Sequence, residues 1–93
     1  MSSPEPKVGD ILRATRFAYY ASQAHPLWLI CVECDSGWFE GVALCGGTDD
    51  AKPYEDGWEI TPEHDTYTII PLDELPDEVC VALATRALIG GDE

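Results

Sequence analysis

The alternation of apolar and polar positions divides this chain into short extended segments followed by one helical segment. Alternation with period two, or a short apolar run bounded by turn residues, is typical of β-strands. The Asp35-Ser36-Gly37 stretch separates two such runs and predicts a tight hairpin. Residues 16–26 fit helical and extended spacing equally well. The predicted strands cover residues 8–15, 27–34, 38–45, 58–61 and 66–71.

The C-terminal stretch carries the helical pattern, and we predict a helix over about 76–89. Pro76 suits the first helical position, and Gly90-Gly91 suits the end. The apolar positions exceed one stripe, which predicts a second contact through this helix, with a homodimer as its simplest form. The stripe expected to dock on the sheet is Cys80, Leu83, Ala84, Ala87 and Leu88. The second apolar face is expected to consist of Val79, Val81 and Ala82.

Five strands and one helix predict an α+β, mainly β, fold: a small five-stranded antiparallel, partly open SH3-like or OB-like barrel with a C-terminal helix. "GDIL", then a strand ending in a turn, then "GWFEG" resembles the strand-and-tryptophan rhythm of SH3-like barrels over residues 8–45. The eukaryotic acidic aromatic loop and terminal Pro-x-x-Tyr strand are missing, so the resemblance implies a fold and no binding residues. We expect a flexible polar tail at 1–7 and one domain over 8–93.

The net charge of this 93-residue chain is -13, from 18 acidic and 5 basic residues. Binding to nucleic acid requires Lys and Arg to neutralise phosphates, so nucleic acid is not the expected ligand. An acidic surface suits a partner protein with a basic surface. No apolar run approaches the roughly 20 residues of a membrane helix, and no signal segment opens the chain. We expect a cytoplasmic protein without membrane contact.

Four cysteines, Cys31, Cys34, Cys45 and Cys80, could form a zinc site, a disulfide frame, a redox pair or inert core thiols. A zinc-binding Cys-x-x-Cys lies on a turn, and a redox pair lies at a helix N-terminus. Cys31 and Cys34 lie in a predicted strand, where an odd spacing places side chains on opposite faces. We therefore expect four separate free thiols, no metal and no cofactor.

The other chemistry-bearing residues form no recognisable catalytic motif. His64 lies between Glu63 and Asp65 without an accompanying nucleophile, which is typical of a solvated turn histidine. The acidic segment 49–59 lacks the ligand spacing of a calcium-binding EF-hand loop. No glycine-rich phosphate loop or Ser-His-Asp arrangement is present. We therefore expect a protein that is not an enzyme.

Nine aromatic residues exceed what the core of a small barrel requires. Spare aromatic side chains commonly anchor protein interfaces, and interleaved acidic residues favour a protein partner over a nucleic acid. We predict a partner-binding surface with aromatic anchors and steering charges. The anchors are Tyr19, Tyr20 and Trp38, and the charges are Glu40, Asp56 and Glu59.

The favoured interpretation is a non-catalytic acidic protein-binding module. In size, charge and lack of asparagine the chain is similar to small acidic accessory proteins of phages that infect GC-rich actinobacteria. That resemblance implies binding to a host protein and modulation or inhibition of its activity. One alternative is a DNA mimic, which would need its acidic residues in an ordered row on one face. The other alternative is a small metal-binding protein or an enzyme.

Overall fold

The computed structural model describes residues 6–17, 20–48, 54, 58–61 and 63–89. Five strands and a C-terminal helix lie close to their predicted positions, and a short 3-10 turn at Leu72–Glu74 precedes the helix. The described parts of the ambiguous segment 16–26 form no helix, and its first residue ends the first strand. The strands are β1 (Ile11–Arg16), β2 (Leu27–Asp35), β3 (Trp38–Gly46), β4 (Trp58–Ile60) and β5 (Thr66–Ile70), and the helix is α1 (Asp77–Ile89).

All strand pairs are antiparallel, and the order across the sheet is β4-β3-β2-β1-β5. The first four strands form a meander, and β5 returns to pair with β1. The sheet is not closed, because β4 and β5 each pair on one side only. The structure thus confirms the predicted mainly β fold with five antiparallel strands, a partly open sheet and a C-terminal helix.

The β2–β3 hairpin has a two-residue loop, because Asp35 pairs with Trp38. Gly37 has a φ of 83°, a conformation that residues with a Cβ rarely adopt. The Asp35 carboxylate accepts a hydrogen bond of 2.7 Å from the Ser36 N–H, which supports the turn. The sequence Asp-Ser-Gly therefore supplies both the acceptor and the flexible backbone that this hairpin requires.

The ladder between β2 and β3 is interrupted twice. Its register shifts between Trp28 and Leu29, and again between Cys31 and Glu33. Each shift places one extra residue in one strand, Leu44 in β3 and Val32 in β2. A bulge of this kind changes which residues share a face beyond it. Simple alternation along β2 or β3 therefore assigns residues to the wrong face once a bulge has been passed.

The inner face of the curled sheet encloses the larger core. Phe39 and Tyr67 pack edge to face in it, with ring centroids 5.2 Å apart. The ring centroid of Phe17, which follows β1, lies 5.4 Å from that of Trp58 in the edge strand β4. Because β2 and β3 separate these two elements in the sheet, that contact requires the sheet to curl. The buried inner residues are Leu12, Ala14, Phe17, Leu27, Leu29, Cys31, Phe39, Ala43, Ile60 and Tyr67.

A second core lies on the outer face of the sheet, beneath α1. The helix contributes Val79 and Ala82, which are 0% and 5% exposed. They pack with Ile11, Trp28 and Leu44 of the sheet. The prediction that Val79 and Ala82 form a spare apolar face is therefore wrong, since both residues dock the helix on the barrel.

The predicted docking stripe of α1 is also wrong, because only Leu83 among its residues packs against this second core. Val81 does lie outside the contact, with 64% of its surface exposed. The spacing of Val79, Ala82 and Leu83 is as helical as the spacing of the predicted stripe, so periodicity could not select the docking face. The remaining residues of the predicted stripe, Cys80, Ala84, Ala87 and Leu88, are exposed.

Two residues of the predicted polar tail, Pro6 and Lys7, lie in the described part of the chain. Pro6 is buried, and the Lys7 N–H donates a hydrogen bond of 2.8 Å to the Asp10 carboxylate. The Asp10 N–H in turn donates to the Lys7 carbonyl, at 2.9 Å. The predicted polar tail 1–7 therefore does not include Pro6 and Lys7.

Candidate protein-interaction face

Three of the six predicted partner-binding residues lie on one face of the sheet. Trp38 and Glu40 alternate with the buried Phe39 in β3, so they face outward. Glu59 of β4 pairs directly with Glu40 and shares its face. Tyr19 and Asp56, two further predicted contacts, lie outside the described residues.

The same outward face carries two acidic residues that the sequence did not single out. Glu33 of β2 pairs with Glu40 from the other side, and Asp35 pairs with Trp38. Glu33, Glu40 and Glu59 therefore form a row across three neighbouring strands, with about 5 Å between adjacent Cβ atoms. We call Glu33, Asp35, Trp38, Glu40 and Glu59 the acidic sheet face.

Glu33 joins this row only because of the bulge at Val32. Simple alternation from the buried Cys31 would place Glu33 on the inner face with it. The extra residue in β2 instead pairs Glu33 with the outward Glu40. No pattern in the sequence reveals this shift, apart from the unfavourable burial that a glutamate on the inner face would bring.

The glutamate row is open to solvent and electrostatically unfavourable. Glu33 and Glu59 are exposed, and Glu40 lies half-buried between them. Like charges placed directly opposite each other destabilise a sheet. Among the residues that the structure describes, no ion pair involves these three carboxylates. Their mutual repulsion is therefore not offset by a neighbouring Lys or Arg in that part of the chain.

Tyr20, the remaining predicted anchor, lies elsewhere. It is half-buried against the inner core, and its ring centroid is 4.7 Å from that of Trp58. The Trp58 indole N–H beside it is buried and makes no hydrogen bond to any described residue. The structure thus assigns Tyr20 a packing contact near the edge strand β4, away from the acidic sheet face.

Cys31 and Cys34 lie on the same face of the sheet, contrary to the prediction from their odd spacing. Cys31 pairs with Gly41 and Cys34 with Phe39, and these two partners are alternate residues of β3. The bulge at Val32 is the physical reason. Because Val32 has no partner in β3, the two cysteines are separated by two paired positions along the ladder instead of three. Cys31 is 1% exposed, whereas Cys34 lies at the exposed end of β2.

All four cysteines are free, and two have perturbed acidity. Burial raises the pKa of the Cys31 thiol, and the nearby Cys34 and Asp10 raise it further. Burial also raises the pKa of Cys45 to about 11, with a smaller contribution from the Glu78 charge. Both thiols are therefore protonated at neutral pH, and a protonated thiol is a poor nucleophile and a poor metal ligand.

A pocket of about 260 Å³ lies at the β2–β3 turn, where Cys34 and Phe39 share the inner face. Pro6, the turn residues Asp35, Ser36 and Gly37, and Trp38 complete its lining. The lining includes the Cys34 thiol, the Ser36 hydroxyl and the Asp35 carboxylate, and no histidine or lysine. The described residues also contain no group of three or more His, Cys, Asp or Glu side chains placed to hold a metal ion.

His64 lies in an exposed turn between β4 and β5. Its backbone N–H donates a hydrogen bond of 3.0 Å to the Thr61 carbonyl. The Asp65 carboxylate accepts a hydrogen bond of 3.0 Å from the Thr61 N–H, so it supports the turn. These hydrogen bonds hold the turn, and none of them involves the His64 ring.

No protein-family model, curated protein or solved structure matches this chain. None of the helices in the described part of the chain is long and apolar enough to cross a membrane. The proposals below therefore depend on the geometry and charge of the chain itself.

Proposed function

We propose that this chain is a non-catalytic protein-binding module that docks a basic segment of another protein on its acidic sheet face. The observation that carries the proposal is the glutamate row, Glu33, Glu40 and Glu59, which lies beside Trp38 on the outer face of the sheet with Glu33 and Glu59 exposed. A tryptophan framed by carboxylates combines a large anchor with a charge pattern that selects a cationic partner.

The energetics of the row support this proposal. Placing like charges opposite each other costs the free protein stability, by a few tenths of a kcal/mol to about 1 kcal/mol per pair. A basic segment laid across the three strands removes that repulsion on binding. A Lys or Arg side chain can also stack on the half-buried Trp38 ring, where a cation–π contact contributes about 0.5–2 kcal/mol.

The resemblance to small acidic phage proteins supports a more specific form of the proposal. In that form the module is phage-encoded and cytoplasmic, and it modulates or inhibits a host protein by covering a basic surface. A net charge of -13 favours rapid association with such a partner, most strongly at low ionic strength.

A DNA mimic is the second candidate function, and the glutamate row favours it. A mimic needs carboxylates in order on one face, and the register places three in line across β2, β3 and β4. The partner would then be a DNA-binding protein, and the row would occupy part of its phosphate-binding surface. Competition with DNA distinguishes this candidate, because DNA then displaces the chain from its partner.

The proposal is tested by capturing a partner from actinobacterial lysate, identifying it, and titrating it in purified form. Trp38→Ala should weaken binding by about 30-fold, equivalent to about 2 kcal/mol. Replacing Glu33, Glu40 and Glu59 with Gln should mainly slow association, and the effect should shrink as salt is added. The matched control replaces three exposed acids outside the face, Glu63, Asp73 and Glu74, with Gln, Asn and Gln.

The control variant loses the same charge as the triple glutamine variant, so it should associate faster than that variant. If the Trp38 variant and the triple glutamine variant bind the confirmed partner as the wild type does, the acidic sheet face is not the binding site. If the two triple variants slow association equally, overall charge rather than this face attracts the partner.

A further inference from the structure

The side of α1 that points away from the barrel is apolar. Val81 and Leu88 are 64% and 85% exposed, and Ala84 lies between them. At 100° per residue these three positions form one line along the helix, opposite the buried Val79 and Ala82. A helix on a protein surface normally presents polar side chains in that direction. We call Val81, Ala84 and Leu88 the outer line of α1.

The charged residues of α1 also depart from the usual arrangement, in which charges lie on the exposed side of a surface helix. Arg86, the only basic residue of α1, lies half-buried on the side of the helix that faces the barrel. The charges at the N-terminal end of the outer line are all negative. Asp77 continues the line by one turn, and Glu78 lies beside it. The exposed surface therefore combines an apolar stripe with an acidic end.

We propose that the outer line of α1 docks an amphipathic helix of another protein, one with an apolar stripe flanked by Lys or Arg. The inference rests on the proposed protein-binding function and adds to it a second contact surface with a partner of defined chemistry. Helix-in-groove and helix-on-helix contacts of this kind use apolar anchors spaced three, four and seven residues apart, and Val81, Ala84 and Leu88 have that spacing.

Charge complementarity selects this occupant over a second copy of the chain. A second copy brings another -13 of charge and the same acidic end, so it meets repulsion where a basic helix meets attraction. The small side chains of Ala84, Cys80 and Ala87 permit close approach of another helix between the larger Val81 and Leu88. Interaxial distances near the lower end of the usual range, about 8 Å, are reached where contact residues are small.

The experiment uses the full chain and two synthetic helical peptides of identical composition and positive charge. One peptide places its Leu and Ala residues on a single face, and the other distributes them around the helix. We expect the wild type to bind the amphipathic peptide at least about tenfold more tightly than the scrambled one, because only that peptide can bury the outer line. Equal affinity for both peptides would show charge attraction alone and would overturn the proposal.

The variant Val81→Ser with Leu88→Ser removes the apolar anchors without changing the charge. It should lose the preference for the amphipathic peptide, while its helical circular dichroism and unfolding midpoint stay close to wild type. Leu72→Ser is the matched control, since Leu72 is 70% exposed but precedes α1. A double variant that keeps the preference would contradict docking on this line.

Two further measurements separate the possible outcomes. Sedimentation at low and high salt detects self-association, and a wild-type dimer that the double serine variant abolishes would assign the line to a second copy instead. The variant with Gln at Glu33, Glu40 and Glu59 should keep its preference for the amphipathic peptide. If only that variant loses the preference, the helix inference fails while the proposed acidic sheet face remains.

Discussion

The outer face of the sheet has two neighbouring parts with opposite chemistry. In one part, Ile70, Ile11 and Ile30 form a row across β5, β1 and β2, and α1 packs over it. In the other, Glu33, Glu40 and Glu59 form a row across β2, β3 and β4. Apolar outward residues pack against the helix, whereas the acidic outward residues Glu33 and Glu59 are exposed.

The largest difference between the two parts should appear when a large side chain is truncated in each. Leu44→Ala removes a side chain 1% exposed beneath α1 and should lower the free energy of unfolding by about 3 kcal/mol. Trp38→Ala removes a half-buried side chain of the open part and should cost about 1 kcal/mol or less. Urea unfolding followed by circular dichroism measures both. Equal costs would show that Trp38 is a core residue and not an exposed anchor.

The two sides of α1 should respond to the same substitution with opposite sign. Val79→Ala should destabilise the protein by about 1.5 kcal/mol, because Val79 is 0% exposed in the outer core. Val81→Ala should be neutral or stabilise it by up to about 0.5 kcal/mol, since alanine has the higher helix propensity. Thermal unfolding of the two variants provides the comparison. A loss at Val81 as large as that at Val79 would mean that the outer line of α1 is covered in the free protein.

Cys45, which packs against the core beneath α1, should also make the stability of the fold decrease at alkaline pH. The folded protein keeps the Cys45 proton up to a pKa of about 11, whereas the unfolded chain releases it near the ordinary thiol pKa of 9.0. The contribution of the neutral thiol is therefore complete below about pH 9 and is lost as the pH rises towards 11. Each such group steepens the loss by at most about 1.4 kcal/mol per pH unit.

Cys45→Ala should accordingly lose less stability than the wild type between about pH 9 and 11, the interval between the unfolded and folded pKa values of Cys45. The comparison is made by urea unfolding, with each protein referenced to its own stability at neutral pH. This removes the packing cost of the substitution itself. Parallel pH profiles for the two proteins would show that the Cys45 thiol does not control the alkaline limb.

A small gain in stability is expected in the glutamate row. Glu40→Gln removes the central charge between Glu33 and Glu59 and should raise the free energy of unfolding by about 0.5 kcal/mol. The gain should shrink in 0.5 M salt, because salt already screens the exposed repulsion. Glu63→Gln, at an exposed turn, is the control and should change stability little. If Glu40→Gln destabilises the fold, the glutamate carries a structural role instead.

The sequence was sufficient for the strands and for part of the acidic sheet face. Trp38, Glu40 and Glu59 could be predicted to share a face, because they lie in well-formed strands with clear alternation. Glu33 could not, since its orientation depends on an extra residue that only the pairing of β2 with β3 reveals. The position of Tyr20 away from this face could not be predicted either, because an aromatic residue between strands can serve equally well as a packing residue or as an anchor.

The sequence by itself determined the elements, because hairpin residues, alternation and helix-ending glycines act over a few neighbouring positions. It also determined the strongly acidic character of the surface, which follows from composition. Only the tertiary structure decided which side of α1 is buried, since two apolar stripes were available and the sheet accepts the one containing Val79. Only the tertiary structure likewise placed Cys31 and Cys34 on one face, because a bulge is a property of two paired strands and not of either sequence alone.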